Sequence, residues 1–176
     1  MNKFDISKLE KSVREVPDFP KPGIKFKDIT PILINPKLLS MSIEALASHV
    51  DSSSIDKIIG IDARGFIFGS LLANLLGKGF IPVRKEGKLP WQTESQSYDL
   101  EYGKSVIEIH KDAIDPGERI LIVDDLLATG GTAEAAVKLV EKLSGTVDSL
   151  IFFIELEFLN GRELLKSTKV QSVLKY

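Results

Sequence analysis

Two adjacent carboxylates, followed by a turn rich in glycine and threonine, form the segment of this sequence best suited to chemistry. The apolar run of residues 120–123 predicts a buried strand, and Asp124 and Asp125 come at its end. Small residues then lead into a predicted helix: Ala128, Thr129, Gly130, Gly131 and Thr132. In open α/β sheets, ligands bind at the carboxyl edge of the strands, which is where this segment would lie.

The residues of this turn are suited to hold a phosphate group. The first amides of a helix are unpaired donors, and the helix dipole adds about half a positive charge there. Gly130 and Gly131 let main-chain amides approach an anion, while Thr129 and Thr132 add hydroxyls, with Thr132 also expected to be the helix N-cap. The acidic pair would hydrogen-bond the vicinal hydroxyls of a sugar or help to hold Mg²⁺. The alternative is an ordinary glycine turn beside two solvated acids.

Cationic side chains follow two other predicted strands. Arg64 stands in a turn after the strand predicted over residues 57–61, where its guanidinium could fork onto phosphate oxygens. A second cluster follows the strand predicted over residues 80–83: Arg84, Lys85 and Lys88. The alternatives are a surface arginine at a helix start and a solvated charged face.

Apolar strand runs alternate with helical patterns over most of the chain. Further strands are predicted over residues 106–109, 150–154 and 169–176, and helices over residues 37–50, 66–76 and 132–143. Continuous Ile, Val and Leu runs separated by helices predict one α/β domain, with a mostly parallel central sheet flanked by helices.

Three stretches are predicted outside this alternation. Ile6, Leu9, Val13 and Val16 recur at helical spacing and predict a short N-terminal helix. Residues 24–34 read as irregular. Residues 84–103 are polar without a helix or strand period throughout, which predicts a long loop of the kind that is usually functional.

The composition restricts the class of protein. The 176 residues suit one domain, and the net charge of −2 argues against a nucleic-acid binder that relies on bulk charge. The absence of cysteine excludes disulfides and thiolate zinc sites, and the two histidines, His49 and His110, are interpreted as packing residues. With no signal peptide and no membrane span of about 20 apolar residues, we expect a cytoplasmic protein.

The string of residues 123–132 resembles the phosphoribosyl pyrophosphate motif of type I phosphoribosyltransferases, and in its details the adenine-specific branch. Residues 17–31 resemble part of the base-covering N-terminal segment of that branch, here residues 1–36. Residues 62–66 resemble its pyrophosphate loop, and residues 83–90 with 98–103 resemble its mobile hood loop, here residues 84–103. The resemblance implies the type I phosphoribosyltransferase fold and the conversion of adenine and phosphoribosyl pyrophosphate into AMP and pyrophosphate.

The resemblance also implies a role for each site residue. The sugar and its phosphate would be held by Asp124, Asp125, Ala128, Thr129, Gly130, Gly131, Thr132 and Tyr102. Pyrophosphate would be held by Arg64, Arg84, Lys85 and Lys88, with Arg84 acting across a homodimer interface. Adenine would be bound by Lys25, Phe26, Lys27 and Leu126. Glu101 would be the general base, and Mg²⁺ would be held mainly by substrate oxygens, with no dedicated metal ligands.

Three positions depart from the family pattern. Lys27 stands where many members carry Arg, Asp62 replaces a more usual Glu, and the hood tip of residues 91–95 follows no familiar pattern. The rival interpretations are a transferase for another base and a non-catalytic regulatory protein that binds phosphoribosyl pyrophosphate. The second would need an added DNA-binding region, for which this sequence has no basic helix. A purely structural protein would not need the long loop.

Overall fold

The computed structural model describes residues 6–99 and 104–176. The chain divides into two compact units, one up to Ser48 and one from His49 to Tyr176. Within the described residues, none of the helices combines the length and the apolar character needed to span a bilayer.

The first unit contains three helices and a two-stranded antiparallel sheet. The helices are α1 (Ile6–Ser12), α2 (Thr30–Leu33) and α3 (Pro36–Ala47), and the strands are β1 (Arg14–Pro17) and β2 (Lys25–Asp28). The side chain of Asn35 accepts hydrogen bonds from the Lys37 and Leu38 amides, which caps α3.

The N-terminal helix is shorter than the apolar stripe predicted. Helix α1 ends at Ser12, and Val16 instead lies in β1, paired with Phe26 of β2. The stripe was ambiguous because β-branched valine favours strands, and cross-strand pairing satisfies the backbone here. Part of the segment predicted to be irregular, residues 24–34, is accordingly strand β2 and helix α2.

The second unit is built on a seven-stranded sheet with the order β5-β6-β4-β3-β7-β8-β9. The strands are β3 (Lys57–Ile61), β4 (Gly79–Lys85), β5 (Thr93–Asp99), β6 (Lys104–His110), β7 (Arg119–Leu127), β8 (Thr146–Glu155) and β9 (Lys169–Lys175). Strands β4, β3, β7, β8 and β9 pair in parallel, whereas β5 and β6 are antiparallel. The prediction of a mostly parallel sheet is confirmed.

Helices α4 (Gly65–Leu76) and α5 (Gly131–Lys142) cover opposite faces of this sheet. Phe68 of α4 stacks on Phe153 with ring centroids 5.0 Å apart, while the neighbouring Phe152 belongs to the apolar cluster that α5 contributes to. Adjacent side chains of a strand point to opposite faces, so the two helices lie on either side. Two short 3₁₀ helices, Glu157–Leu159 and Gly161–Leu165, follow β8.

Residues 84–103 are not one irregular loop, as the sequence predicted. Arg84 and Lys85 end β4, and residues 93–99 form the edge strand β5, paired along its whole length with β6. An edge strand needs few apolar side chains: Tyr98 packs against the core below α5, while most of β5 stays polar. Ladder hydrogen bonds therefore define this strand, and a hydrophobic pattern does not.

Candidate active site

Two strand-to-helix turns meet at the carboxyl edge of the sheet. Strands β3 and β7 are parallel neighbours, with Gly60 opposite Val123. The turn after β3 passes close to the end of β7, because a Cβ on Gly65 would lie 2.7 Å from Asp124 Oδ1 and 2.9 Å from the Val123 carbonyl oxygen. Only glycine permits this approach, which brings the start of α4 against the acidic pair.

The acidic pair lies within β7 rather than after it. Asp125 is only 6% exposed, Asp124 is half-buried, and the Asp125 amide donates to Asp124 Oδ1 at 2.8 Å. Burial raises the pKa of Asp124 well above its usual value, and the adjacent Asp125 charge adds to the rise. Burial also raises the pKa of Asp125, although the Arg64 charge opposes that shift.

Arg64 forms an ion pair with the acidic pair. Its Nε lies 2.8 Å from Asp125 Oδ2, and the residue itself is the N-cap of α4. The structure thus brings together two residues that the sequence placed on separate turns. A cation and two carboxyl groups at one sheet edge can bind a sugar bearing anionic substituents.

Arg84 is held by an acid that was not recognised as its partner. Arg84 Nε lies 3.0 Å from Asp62 Oδ2, its Nη1 donates to the Lys88 carbonyl oxygen at 3.1 Å, and its guanidinium carbon lies 5.9 Å from the Phe66 ring centroid. The parallel pairing of β3 with β4, which sets Ile61 opposite Val83, was the available signal. The peptide between residues 62 and 63 is cis.

The other two cations of this cluster lie at the surface. Lys85 ends β4 and Lys88 lies in the turn after it, and both side chains are exposed. Their position beyond β4 keeps them on the same carboxyl edge as Arg84. They can reach a ligand there without a large change of the backbone.

The glycine loop, defined here as residues 128–131, connects β7 to α5 and lines a cavity. The cavity has a volume of about 80 Å³ and is lined by residues 126–133 together with Asp124 and Phe152. Helix α5 begins at Gly131, and among the described residues no side chain caps it. The predicted N-cap, Thr132, is wrong: Gly130 occupies that position with a φ of 89°, and Thr132 lies in the first turn.

This loop can bind an anion through its main chain. Amides at the start of a helix point outward with the positive end of the dipole, and here they face a small cavity instead of a side chain. The Thr129 side chain is exposed, and Thr132 is half-buried at the same cavity. The loop is therefore neither inside a regular helix nor packed away from solvent.

The end of strand β5 lies beside the glycine loop. A Cβ on Gly131 would be 3.4 Å from the Asp99 carbonyl oxygen and 3.5 Å from Tyr98 Cδ2. Glu101 and Tyr102, predicted as general base and sugar contact, lie outside the described residues. The strand that leads to them nevertheless ends next to the anion-binding turn.

The residues predicted to contact the base lie in two different units. Phe26 is in β2, with its ring 5.1 Å from that of Phe19 in an edge-to-face arrangement. Lys27 Nζ lies 2.8 Å from Glu15 Oε2, and Lys25 Nζ lies 3.3 Å from Glu15 Oε1. Hydrogen bonds from Lys27 first, and from Lys25, lower the pKa of Glu15. Leu126 is in β7, at the cavity beside the glycine loop.

A larger cavity, of about 270 Å³, lies at the opposite edge of the sheet. It is lined by the starts of β3 and β4 and by residues 110–113 after β6. His110 lies in its wall, and its Nε2 is buried with no hydrogen-bond partner among the described residues. None of the predicted site residues lines this cavity. Within residues 6–99 and 104–176, no three His, Asp or Glu side chains converge as a metal site.

Comparisons with known proteins agree on one family. A family model described as a phosphoribosyl transferase domain matches residues 28–158. The adenine phosphoribosyltransferase of Acetivibrio thermocellus is 53% identical over 96% of this chain and 99% of that protein. The crystal structure of the adenine phosphoribosyltransferase from Thermoanaerobacter pseudethanolicus superimposes with a TM-score of 0.95, at 54% identity, over 97% of this chain and 99% of that one. The Saccharomyces cerevisiae enzyme, solved with an imino-altritol bisphosphate and adenine, gives 0.92 at 42% identity, over 96% and 97%.

Proposed function

This chain belongs to the adenine phosphoribosyltransferase family, and we propose that it converts adenine and phosphoribosyl pyrophosphate into AMP and pyrophosphate in purine salvage. The observation that carries the proposal is the cavity at the glycine loop, beside the acidic pair of β7 and the uncapped start of α5. These groups suit a ribose that carries a phosphate. The type I phosphoribosyltransferase fold has the same arrangement of sheet and helices as this chain.

The glycine loop would bind the terminal phosphate of the sugar. Amides of residues 128–132 would donate to its oxygens, and Thr129 and Thr132 would add hydroxyl donors. The cavity size, the positive φ of Gly130 and the free helix start all support this assignment. A phosphate held mainly by the main chain needs no cation of its own.

Asp124 and Asp125 would bind the vicinal hydroxyls of the ribose. A carboxyl with a raised pKa keeps its proton more readily and can donate as well as accept, which suits a hydroxyl partner. Asp125, paired with Arg64, supplies negative charge near the anomeric carbon. That charge favours a transition state in which the sugar becomes positive. Tyr102 would line the same sugar site.

Pyrophosphate would be held by Arg64, Arg84, Lys85 and Lys88. The two arginines now pair with Asp125 and Asp62, so each would exchange a carboxylate for phosphate oxygens when the substrate binds. As the bond from the anomeric carbon to pyrophosphate breaks, these cations stabilise the charge that develops on the leaving group.

Adenine would lie between Phe26 and Leu126, with main-chain groups near Lys25 and Lys27 reading its edge. An aromatic ring and an apolar side chain offer stacking surfaces to a flat base. As a base nitrogen bonds to the anomeric carbon, its proton would pass to Glu101, which acts as general base. The hood formed around residues 98–103 would exclude water during this step.

We also propose that the enzyme uses Mg²⁺, forms a homodimer and acts in the cytoplasm. The donor set fits a metal held mainly by substrate oxygens, because the described residues offer one pair of carboxyls here and no third ligand. When bound, the metal would neutralise pyrophosphate charge. The homodimer follows from the family resemblance, in which Arg84 contributes to the partner's site.

The proposal is tested by supplying the purified protein with phosphoribosyl pyrophosphate, Mg²⁺ and one base at a time. Adenine should give AMP and pyrophosphate, whereas hypoxanthine and guanine should give little nucleotide. The matched control contains EDTA in excess of Mg²⁺ and should lose turnover. Nucleotide formed only from a 6-oxopurine would contradict the adenine assignment. Tight ligand binding without turnover would favour the regulatory alternative.

A further inference from the structure

A bend after β8 lies directly against the glycine loop. The Leu156 amide donates to the Leu127 carbonyl oxygen at 2.9 Å, which holds the chain beside the end of β7. Asn160, between the two 3₁₀ helices, then reverses the chain with a φ of 53°. The next residue, Gly161, is buried against the loop. This bend is far from the loop in sequence and carries none of the residues assigned above.

The bend and the loop touch through main-chain atoms on both sides. A Cβ on Gly161 would overlap the Ala128 carbonyl oxygen and lie 3.0 Å from Leu127 Cδ1. A Cβ on Gly130 would overlap the Gly161 carbonyl oxygen. Backbone is less able than a flexible side chain to move away, so the position of Gly161 fixes the position of the loop.

Arg162 fixes this bend to the sheet. Its Nε lies 2.5 Å from Glu155 Oε1, and its Nη2 donates to Glu155 Oε2 at 2.7 Å, which makes a bidentate pair. Nη2 also donates to Ser172 Oγ at 2.9 Å, and Nη1 donates to the Val170 carbonyl oxygen at 2.8 Å. Ser172 Oγ itself donates to Glu155. One guanidinium therefore joins the end of β8 to two residues of β9.

The acid in this network is buried yet charged. Glu155 is only 3% exposed, and that burial favours its neutral form. Hydrogen bonds from Arg162 and Ser172 outweigh burial and hold the pKa of Glu155 below its usual value. The pair thus stays ionised through the neutral pH range, and the bend is held in one position throughout it.

We propose that Gly161 and Arg162 are positioning residues that hold the glycine loop in the shape that receives the phosphate of the substrate. This inference rests on the proposed role of the loop. Neither residue need touch substrate: Arg162 holds the bend, and Gly161 passes its position to Ala128 and Gly130 by direct contact. Binding groups that shift by a fraction of an ångström lose much of their contribution.

The experiment compares Gly161→Ala and Arg162→Lys with the wild type. Arg162→Lys keeps the charge but cannot form the bidentate pair. Titration calorimetry with AMP and with adenosine separates the phosphate from the rest of the ligand. Both variants should bind AMP more weakly, by about tenfold for Gly161→Ala, with adenosine affinity nearly unchanged. The KM for phosphoribosyl pyrophosphate should rise, whereas the KM for adenine should not.

Two control variants match the chemistry at the other edge of the sheet. Gly145→Ala places a Cβ 2.8 Å from Ile114 Cγ2, and Arg119→Lys alters an arginine that donates to the Ser53 carbonyl oxygen. Neither should change the ratio of AMP to adenosine affinity. A lowered melting temperature without a changed ratio in the Gly161 and Arg162 variants would overturn the proposal, as would equal losses for both ligands.

The outcome remains decisive if one variant fails to fold. If Gly161→Ala is insoluble, Arg162→Lys alone decides, because its side chain leaves the backbone contact intact. Failure of the proposed function looks different: the wild type itself would then neither turn over adenine nor prefer AMP to adenosine.

Discussion

Asp124 is a carboxyl whose burial opposes folding at neutral pH. Its pKa is raised in the folded protein, so the folded state binds a proton that the unfolded chain releases. The resulting stability is complete below the usual carboxyl pKa of 3.8 and is lost as the pH rises toward the folded value. The group is retained at this cost because its chemistry is useful to the site.

Asp124→Asn should therefore stabilise the protein while impairing its activity. The amide oxygen can still accept from the Asp125 amide, but no charge has to be buried. The melting temperature should exceed that of the wild type most at pH 8 and least at pH 5, by about 2–4 °C for each kcal/mol gained. Calorimetry at several pH values measures this difference. Asp112→Asn, at an exposed position, is the control, and a difference independent of pH would contradict the argument.

Some residue partners could not be read from the sequence. Asp124, Asp125, Arg64 and the glycine loop were recognised because their types follow strands at the sheet edge where ligands bind. The pairing of Arg84 with Asp62 and the contact of Gly161 with Ala128 join segments that are distant in the chain. Such contacts depend on strand order, which periodicity does not reveal.

Among the elements, the β1–β2 hairpin is fixed by charge at its open end. Asp28 accepts hydrogen bonds from the Thr30 hydroxyl and amide and pairs with Arg14 at 2.6 Å. Those bonds, the Thr30 hydroxyl first, lower the pKa of Asp28 to about 2. The stabilisation is therefore complete above the usual carboxyl pKa of 3.8 and is lost as the pH falls through about 2.

Asp28→Asn should lower the stability of the protein at neutral pH, because the ionised acceptor of three donors is removed. The deficit should shrink as the pH falls below 4, where the wild-type carboxylate begins to lose its own advantage. Urea unfolding followed by circular dichroism from pH 7 to pH 3 measures it. Glu44→Gln, on the exposed face of α3, should show no such dependence, and a constant deficit for Asp28→Asn would argue against ionisation as its cause.

The accuracy of the predicted elements follows from how each is stabilised. Strand β3 and the helices α4 and α5 lie close to their predicted bounds, because burial gives them an apolar signature. Strand β5 was missed because it is a polar edge strand held by its ladder with β6. Strand β1 was missed because two valines continued a helical spacing past Ser12.

At the scale of the whole molecule, the proposed homodimer has a direct functional test. If Arg84 serves the partner's site, an Arg84→Ala subunit and a Glu101→Gln subunit are each inactive alone but complementary when mixed. A mixed dimer then contains one site with both residues intact. Random exchange in an equimolar mixture should restore activity at about a quarter of the sites.

Two measurements complete this test. Sedimentation should give about twice the subunit mass of 19.4 kDa. The mixture should be assayed after reversible dissociation, with each variant treated alone as its control. A dimeric mixture with no recovered activity would place Arg84 in the site of its own subunit, and a monomer would remove the homodimer.

The ion pairs Arg64–Asp125 and Arg84–Asp62 leave the ligand-free site with little uncompensated charge at its two arginines. An approaching polyanion is then not drawn to these residues from afar, and each gain of a phosphate contact coincides with the release of an internal counter-ion. Since screening acts mainly on long-range attraction, added salt should slow capture here less than at a cleft of unneutralised cations.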